Sequence, residues 1–402
     1  MAEMRLYSVS FEQDNPVVAD PGVTPAYADP EWLDINGDGD ATDPGEHQFP
    51  TSYVRGEPLV VSAVFHLDRP WEGGGTILVS ATGPDGLSLP WTPAAVAGTE
   101  VRITAVQAQG SFPGVVRHYD EFQLTWYATV RGSEGQIEVG TSSNDVYLTL
   151  GEPQTTLYHT VVHLGSQNAQ GATTESDVIL DVWNNVFSTN SVQRVDGMPL
   201  WYYHQYDIPS WTTQSLLQAR LTAEGVLGDG RCGAWANLMY DLLGAQGSDA
   251  QRIVGLIPDP WAISPAPEGF LIESWTFNGE GRGAAAVERA PGSELDIIVA
   301  AYPYLNVTKG LLWEDLFNDT RCGYAFRFAD VTDNPGVEGK GPNPNPAAIF
   351  PDHGLVEYDT ALGTVWFDPS YGRAYEGATE EARLLSFEDG NGGTPGAVAG
   401  YY

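Results

Sequence analysis

Basic residues are scarce in this sequence. Only 18 of its 402 residues are Lys or Arg, against 53 Asp or Glu, and the formal net charge is −35. Lysine is nearly absent, since Lys309 and Lys340 are the only two. An electrostatic field of this sign repels phosphate backbones and anionic headgroups, so we expect neither nucleic-acid nor membrane-surface binding. The surplus of acids fits cation binding or a salty medium.

Cysteine and long apolar runs are scarce as well. Cys232 and Cys322 alone cannot build a disulfide framework or a thiolate metal site. No apolar run is long enough to span a bilayer, so we expect no membrane span. The first residues lack the basic and apolar regions of a signal peptide. Either a cytosolic protein or a piece of a longer exported chain fits, and we expect the latter, outside the cell or at its surface. The oligomeric state stays open.

The first 150 residues have a sequence pattern typical of an all-β domain. Short runs of β-branched and aromatic residues alternate with turn clusters, and no helical pattern interrupts them. The predicted strands cover 59–65, 76–80, 100–104, 122–128 and 146–150. Strands at this spacing predict a β-sandwich, to which we assign residues 1–152.

The sequence pattern changes after residue 152, where apolar residues begin to recur at the spacing of a helix. Apolar residues at intervals of three and four predict helices at 176–186, 214–223 and from 232 to about 244. Strand-like segments follow at 250–257, 270–277, 295–302, 354–358 and 364–367. Helices followed by antiparallel strands indicate an α+β domain over residues 153–402.

The segment around Cys232 is the most informative in the chain. A glycine-rich turn, Gly228-Asp229-Gly230-Arg231, delivers this cysteine to the start of a predicted helix. Unpaired backbone N–H groups and the helix dipole favour the nucleophilic thiolate there. A small buried residue at a helix start is the alternative interpretation of Cys232 taken alone.

Two further residues complete a catalytic pattern. His353 opens one predicted strand, and Asp368 ends the strand that follows it. Side by side, the histidine can accept the thiol proton while the aspartate fixes its orientation and tautomer. Cys232, His353 and Asp368 are therefore the candidate catalytic triad. Cys322 repeats the tripeptide Arg-Cys-Gly but precedes a strand-like alternation, so we expect it to be structural.

These segments together resemble the transglutaminase-like superfamily. The matching pieces are Gly-Arg-Cys-Gly-Ala-Trp-Ala at 230–236, His353, and Trp-Phe-Asp-Pro-Ser at 366–370. The resemblance covers about 153–402 and implies a papain-like α+β core with Cys232, His353 and Asp368 as its triad. The interval of 121 positions from Cys232 to His353 exceeds the family's common interval, which implies an insertion around 258–349.

The oxyanion donor of such a site is not identified by the sequence. The backbone N–H of Cys232 is available by geometry. The side chains of Trp201, Gln205 and Trp211 are further candidates, and none of them is preferred.

A second motif lies in the first domain. Asp34, Asn36, Asp38 and Asp40 place oxygen side chains at every second position, with glycines between them. This resembles the EF-hand calcium loop, although its final bidentate acid falls on Gly45, one residue before Glu46. A structural Ca²⁺ site is one interpretation, and a solvated acidic turn is the other. No cofactor is expected for catalysis.

Two functions of different classes follow. The first is a cysteine-dependent acyltransferase or hydrolase that acts on protein or peptide carboxamides through a thioester, as a transglutaminase, deamidase or protease does. The second is a non-catalytic, calcium-stabilised binding or structural piece of a large bacterial surface protein. The sequence does not choose among the three reactions of the first class.

Overall fold

The computed structural model describes most of the first 258 residues and parts of the remainder. The described residues are 3–39, 46–72, 75–132, 135–189, 191–203, 211–258, 270–271, 297–301, 339–341, 349–350, 353–360, 363–379, 382–383 and 386–387. They belong to two compact units. The first comprises Met1–Ala19, Val23–Val178 and Ala245–Gly247, and the second Asp20–Gly22, Ile179–Gly244 and Ser248–Tyr402. The domain boundary predicted between residues 152 and 153 stays a prediction.

The first unit is built mainly of strands. They are β1 (Met4–Glu12), β2 (Asn15–Pro16), β3 (Trp32–Leu33), β4 (His47–Gln48), β5 (Thr51–Val54), β6 (Val60–Leu67), β7 (Ile77–Thr82), β8 (Ser88–Pro93), β9 (Ala95–Ala97), β10 (Glu100–Gln107), β11 (Arg117–Val130) and β12 (Ile137–Thr149). A short 3₁₀ turn covers Pro84–Gly86. Helix α1 (His159–Asn168) follows β12.

These strands form two six-stranded sheets. One has the order β4-β3-β1-β6-β10-β9, and the other β2-β5-β12-β11-β7-β8. Inward-facing side chains of both sheets make a single core, which includes the fully buried Trp32, Phe65 and Trp126. The alternation of buried and exposed residues along β10 and β11 is typical of strands with one face on a core. The predicted strands of this part of the chain fall within or overlap β6, β7, β10, β11 and β12.

The second unit mixes helices with short sheets. Its helical elements are the end of α2 (Glu175–Val182), a π turn at Trp183–Phe187, α3 (Thr213–Leu217) and α4 (Cys232–Ala245). Its strands are β13 (Val192–Gln193), β14 (Pro199–Tyr202), β15 (Arg220–Thr222), β16 (Gly225–Gly230), β17 (Arg252–Pro258), β18 (Phe270–Leu271), β19 (Ile297–Ala301), β20 (Ile349–Phe350), β21 (His353–Thr360), β22 (Gly363–Asp368) and β23 (Arg373–Glu376).

Two sheets of this unit position the candidate triad. A four-stranded sheet of order β13-β14-β16-β15 leads directly into α4. A five-stranded sheet of order β19-β17-β21-β22-β23 carries the histidine and the aspartate on adjacent antiparallel strands. The chain as described is therefore a mostly-β, multidomain α+β protein. None of the described helices has the length and apolarity that crossing a membrane requires.

The predicted helix at 214–223 is wrong beyond Leu217. Thr212 caps α3 with its side chain, but Gln218 leaves the helical region. The next residues then form β15, which pairs antiparallel with β16, and Leu221 is 84% exposed. The helical spacing at 216–221 therefore reflects an edge strand that follows one helical turn. Most of the predicted insertion at 258–349 lies outside the described residues.

Candidate active site

The imidazole of His353 and the carboxylate of Asp368 form a buried, hydrogen-bonded pair. We call it the closed pair. His353 opens β21 and Asp368 ends β22, two strands that are joined by a short turn. Nε2 of His353 lies 2.8 Å from Oδ2 of Asp368, and both side chains are fully buried. Bulk water therefore does not compete for this hydrogen bond, and the orientation of the ring is fixed.

Asp368 is held from both sides. The backbone N–H groups of Ser370 and Tyr371 donate to its Oδ1 at 3.1 and 3.3 Å. The hydroxyl of Tyr375 donates to Oδ2 at 3.2 Å. Pro369 cannot donate a backbone hydrogen bond, so the turn after the aspartate directs the two following N–H groups back to it. A carboxylate with these partners is orientated before any substrate binds.

Cys232 is the first residue of α4 and is 2% exposed. The strand before it, β16, runs parallel to β14, and Gly228 in β16 has no room for a side chain. A Cβ at Gly228 would lie 2.2 Å from the carbonyl oxygen of Leu216. Glycine here lets the strand pass close under α3, which delivers the cysteine to the start of its helix.

The thiol and the imidazole lie together. Burial by itself would lower the pKa of His353. The negative charge of Asp368, its hydrogen bond to the ring, and the nearby Cys232 side chain outweigh burial and raise that pKa to about 10. Because Nε2 is bonded to Asp368, Nδ1 is the ring nitrogen through which a proton can pass to or from the thiol. The structure thus brings the three predicted residues to one place.

Two buried tyrosines flank the thiol, and the sequence analysis missed them. The hydroxyl of Tyr371 donates to that of Tyr202 at 3.2 Å. Burial raises the pKa of both tyrosines far above the usual range, and the charge of Cys232 adds to the rise. Both therefore stay neutral donors beside the thiol. Tyr371 comes three residues after Asp368, so a search for donors in that turn would have found it.

Lys340 is a third residue that the sequence analysis did not connect with the site. Its side chain is fully buried, and Nζ donates to the carbonyl oxygens of Phe187 and Thr189 at 2.6 and 2.7 Å. Burial lowers its pKa well below the usual range, while the charge of Asp368 opposes that change. The rarity of lysine in the chain was the available signal.

The backbone of Lys340 ties the site together. Its N–H donates to Ser370 at 3.2 Å, and its carbonyl accepts from Tyr202 at 2.8 Å. Its two glycine neighbours pack directly against aromatic rings. A Cβ at Gly339 would collide with the ring of Tyr202, and a Cβ at Gly341 with the ring of Trp201. Residues 339–341 therefore link the β14 strand to the turn after Asp368.

The candidate oxyanion donors have different surroundings. Nε1 of Trp211 is buried and has no hydrogen-bond partner among the described residues. The carbonyl oxygen of Trp211 accepts from Asn237 at 2.9 Å, which holds this residue beside the first turns of α4. Arg231 lies over its ring at 5.0 Å. The ring of Trp201 packs on Gly341, and Gln205 lies outside the described residues.

The calcium-like loop is in the first unit. Asp34 is buried, and its two carboxylate oxygens accept the backbone N–H groups of Gly37 and Gly39 at 2.6 and 2.7 Å. Glu46 folds back onto the loop, because its Oε2 accepts the N–H of Ile35 at 2.8 Å. Burial and the nearby charges of Asp34 and Asp38 raise the pKa of Glu46, as expected where carboxylates converge.

The other ligand candidates of that loop are less constrained. Asn36 and Asp38 are exposed, and Oδ1 of Asn36 accepts the N–H of Asp38 at 2.9 Å. Asp40 lies outside the described residues. The Arg5 guanidinium donates to the Gly37 carbonyl at 3.2 Å, so a cation already neutralises part of the loop's charge. The calcium site stays a prediction.

Comparisons with known proteins add no relative. No model of a protein family matches the chain, and no curated protein matches it. The argument for its function therefore depends on the site itself.

Proposed function

We propose that the chain is a cysteine-dependent acyltransferase or hydrolase with a transglutaminase-like catalytic domain. The observation that carries the proposal is the buried arrangement of Cys232, His353 and Asp368. A helix-start cysteine, a histidine that interacts with its thiol and an aspartate that fixes the ring are the parts of a thiol triad.

The proposed reaction begins with proton transfer and attack. His353 takes the thiol proton of Cys232, which gives an imidazolium and the nucleophilic thiolate. The thiolate attacks the carbonyl carbon of a carboxamide or peptide, a C–S bond forms, and an electron pair moves onto the carbonyl oxygen. We assign the stabilisation of that oxyanion to the N–H of Trp211 Nε1, which lacks a partner among the described residues.

The second half of the reaction restores the enzyme. Collapse of the tetrahedral intermediate breaks the C–N bond, and His353 gives its proton to the leaving ammonia or amine. A water molecule or an amine then attacks the thioester and gives its proton to His353. The thiolate and imidazolium are regenerated, and the product is an acid or a new amide. An amine acceptor corresponds to transglutamination, and water to deamidation or proteolysis.

An ammonia-release assay tests the proposal. We expect the full chain to release ammonia from casein, and an added primary amine to be incorporated if the acceptor is an amine. Cys232→Ala should abolish both signals, while Cys322→Ala should retain them. Ammonia release that persists undiminished in Cys232→Ala would overturn the proposal, and so would its absence from the wild type under all acceptor conditions, provided that peptide cleavage is also absent.

One observation favours the second candidate function. All three triad side chains are buried, with 2% of Cys232 and none of His353 or Asp368 exposed. A non-catalytic structural or binding role would tolerate such burial. Alkylation by iodoacetamide at mildly acidic pH separates the two functions, because an activated thiolate reacts much faster than an ordinary thiol and a structural cysteine does not.

A further inference from the structure

A second group of histidines and aspartates lies in the first unit, and the triad does not involve it. His118 and Asp120 are on β11, and Asp145 is on β12. One possible ligand atom of each residue lies within 4.8 Å of those of the other two. We call these three residues the histidine–aspartate cluster.

A β-bulge brings the members of the cluster together. Tyr119 pairs with Val146, but the next pair along the ladder is Phe122 with Asn144. Asp120 and Glu121 therefore lie opposite the single residue Asp145. A bulge of this kind redirects side chains, and bulges are enriched beside functional sites.

The imidazole of His118 has a nitrogen without a partner. Its side chain is only 6% exposed, and Nε2 makes no hydrogen bond to any described residue. Oδ1 of Asp145 is 3.6 Å away, which is too long for a hydrogen bond. Two atoms that bind one metal ion at about 2.0–2.2 Å with tetrahedral or trigonal angles lie about 3.3–3.7 Å apart. The observed separation of nitrogen and oxygen falls in this interval.

The surroundings fix the ring of His118 and leave one side of the cluster open. The ring stacks on Tyr147, with centroids 4.5 Å apart and planes 12° apart. The Tyr147 hydroxyl lies 2.9 Å from Nε2 of His159 and 3.1 Å from Nδ1 of His163, both on α1. These polar contacts surround the cluster with a network typical of the residues around a metal's ligands. Asp120, in contrast, is exposed, so its carboxylate can rotate towards an ion that enters from solvent.

We propose that His118, Asp120 and Asp145 bind a divalent first-row transition-metal ion of the Zn²⁺ or Mn²⁺ class. One imidazole nitrogen and two carboxylate oxygens match the donor preferences of these ions, whereas Ca²⁺ takes oxygen ligands only. Three protein ligands leave a coordination position for water or a ligand oxygen. This inference does not depend on the proposed acyl-transfer function.

Titration of the chelator-treated full chain with Zn²⁺ tests the proposal, with Co²⁺ as a spectroscopic probe. The measurement uses Cys232→Ala protein, because that variant removes the triad thiol as a competing ligand. Excess Ca²⁺ occupies any oxygen-only site. We expect one Zn²⁺ per chain by calorimetry and a visible Co²⁺ spectrum that Zn²⁺ abolishes.

Variants assign the ion to the cluster. Asp145→Asn and His118→Gln should each weaken Zn²⁺ binding at least about tenfold. Glu121→Gln, the neighbouring carboxylate in the bulge, and His66→Gln, an exposed histidine of the other sheet, should bind as the parent does. If His118→Gln does not fold, Asp145→Asn and Asp120→Asn carry the test. Absence of stoichiometric binding, or equal affinity in the cluster variants and the controls, would overturn the proposal.

Discussion

Two histidine–aspartate pairs among the described residues have opposite geometries. In the second unit, Nε2 of His353 lies 2.8 Å from Oδ2 of Asp368, and both side chains are inaccessible to solvent. In the first unit, Nε2 of His118 lies 3.6 Å from Oδ1 of Asp145, and the side chain of Asp145 is 30% exposed. Each pair is carried by two adjacent antiparallel strands, so the sheet brings the residues together in both cases.

The two pairs differ in the hydrogen bonds that the rest of the protein makes to them. Both oxygens of Asp368 accept hydrogen bonds from protein groups, so this carboxylate can only orient the histidine. Nε2 of His118 has no such partner among the described residues, and Oδ1 of Asp145 lies 3.6 Å from it. The closed pair of His353 and Asp368 controls the position of a proton. The pair of His118 and Asp145, which we call the open pair, can instead offer lone pairs to a cation.

The largest expected effect belongs to the nucleophile. Cys232→Ala removes the attacking thiol and very little volume, so we expect activity to fall by at least about 10³-fold with no loss of fold. Activity on casein and the circular dichroism spectrum measure the two quantities. Cys322→Ala is the matched control and should retain activity. A Cys232→Ala enzyme close to wild type would refute the triad.

The closed pair is tested next. Asp368→Asn keeps the size of the side chain but favours the wrong tautomer of His353, so we expect kcat to fall about 10²- to 10⁴-fold. Asp145→Asn makes the same chemical change in the open pair and should leave kcat unchanged while it weakens Zn²⁺ binding at least about tenfold. Equal losses of kcat in the two variants would remove the distinction between the pairs.

Local patterns in the sequence predict much of the site. The strand-like segments predicted at 354–358 and 364–367 fall within β21 and β22, and the spacing of apolar residues in α4 predicts a helix that begins at Cys232. Such signals are visible because they depend on neighbours in the chain. Whether these three residues are catalytic stays a prediction.

Features that depend on distant contacts were missed. Lys340 reaches the carbonyl oxygens of Phe187 and Thr189 across more than 150 residues, and no local spacing encodes such a contact. Helix α1 was also missed, because it follows a strand without an evident cap. The histidine–aspartate cluster had only a faint signal. His118 and Asp120 are two residues apart in a strand, where alternate side chains share a face, and Asp145 joins them only through the pairing of β11 with β12.

The pH dependence of stability provides a third test of the closed pair. The pKa of His353 is raised in the folded state to about 10, above its ordinary value of 6.5, so protonation of the ring favours folding. This stabilisation is complete below about pH 6.5 and is lost as the pH rises through about 10. We expect the urea midpoint of the wild type to fall over that interval relative to that of Asp368→Asn, in which the opposing contribution of the buried Lys340 is also present.

The variant Asp368→Asn should lose most of this pH dependence, because it removes the charge that holds the proton on the ring. Asp145→Asn serves as the control and should keep the wild-type profile. A difference between the midpoints of the wild type and Asp368→Asn that stays constant between pH 6.5 and 10 would contradict the assignment of a charged, buried His353, because the buried Lys340 contributes to the pH dependence of both proteins.

Replacement of Lys340 is expected to have a moderate effect. Lys340→Met keeps the aliphatic stem but leaves the carbonyl oxygens of Phe187 and Thr189 without their donor, which costs roughly 1–3 kcal/mol of unfolding free energy. Chemical denaturation measures that loss. Lys309→Met, the same substitution at the only other lysine, is the comparison variant. A Lys340→Met protein as stable as the wild type would show that Nζ contributes nothing to the fold.

The smallest expected effect concerns the acidic loop, which differs from the histidine–aspartate cluster in having oxygen ligands only. If Asp34, Asn36 and Asp38 bind Ca²⁺, ion binding to the folded state alone stabilises the protein by mass action. We expect chelation to lower the melting temperature by about 2–4 °C for each kcal/mol lost, and Asp38→Ala to abolish that sensitivity.

Zn²⁺ distinguishes this loop from the cluster. Asp38→Ala should leave Zn²⁺ binding unchanged, whereas Asp145→Asn should weaken Zn²⁺ binding at least about tenfold and keep the response to Ca²⁺. A melting temperature that is indifferent to both Ca²⁺ and chelator would show that the loop is a solvated acidic turn. In that turn the backbone N–H groups of Gly37 and Gly39 would then satisfy Asp34 without an ion.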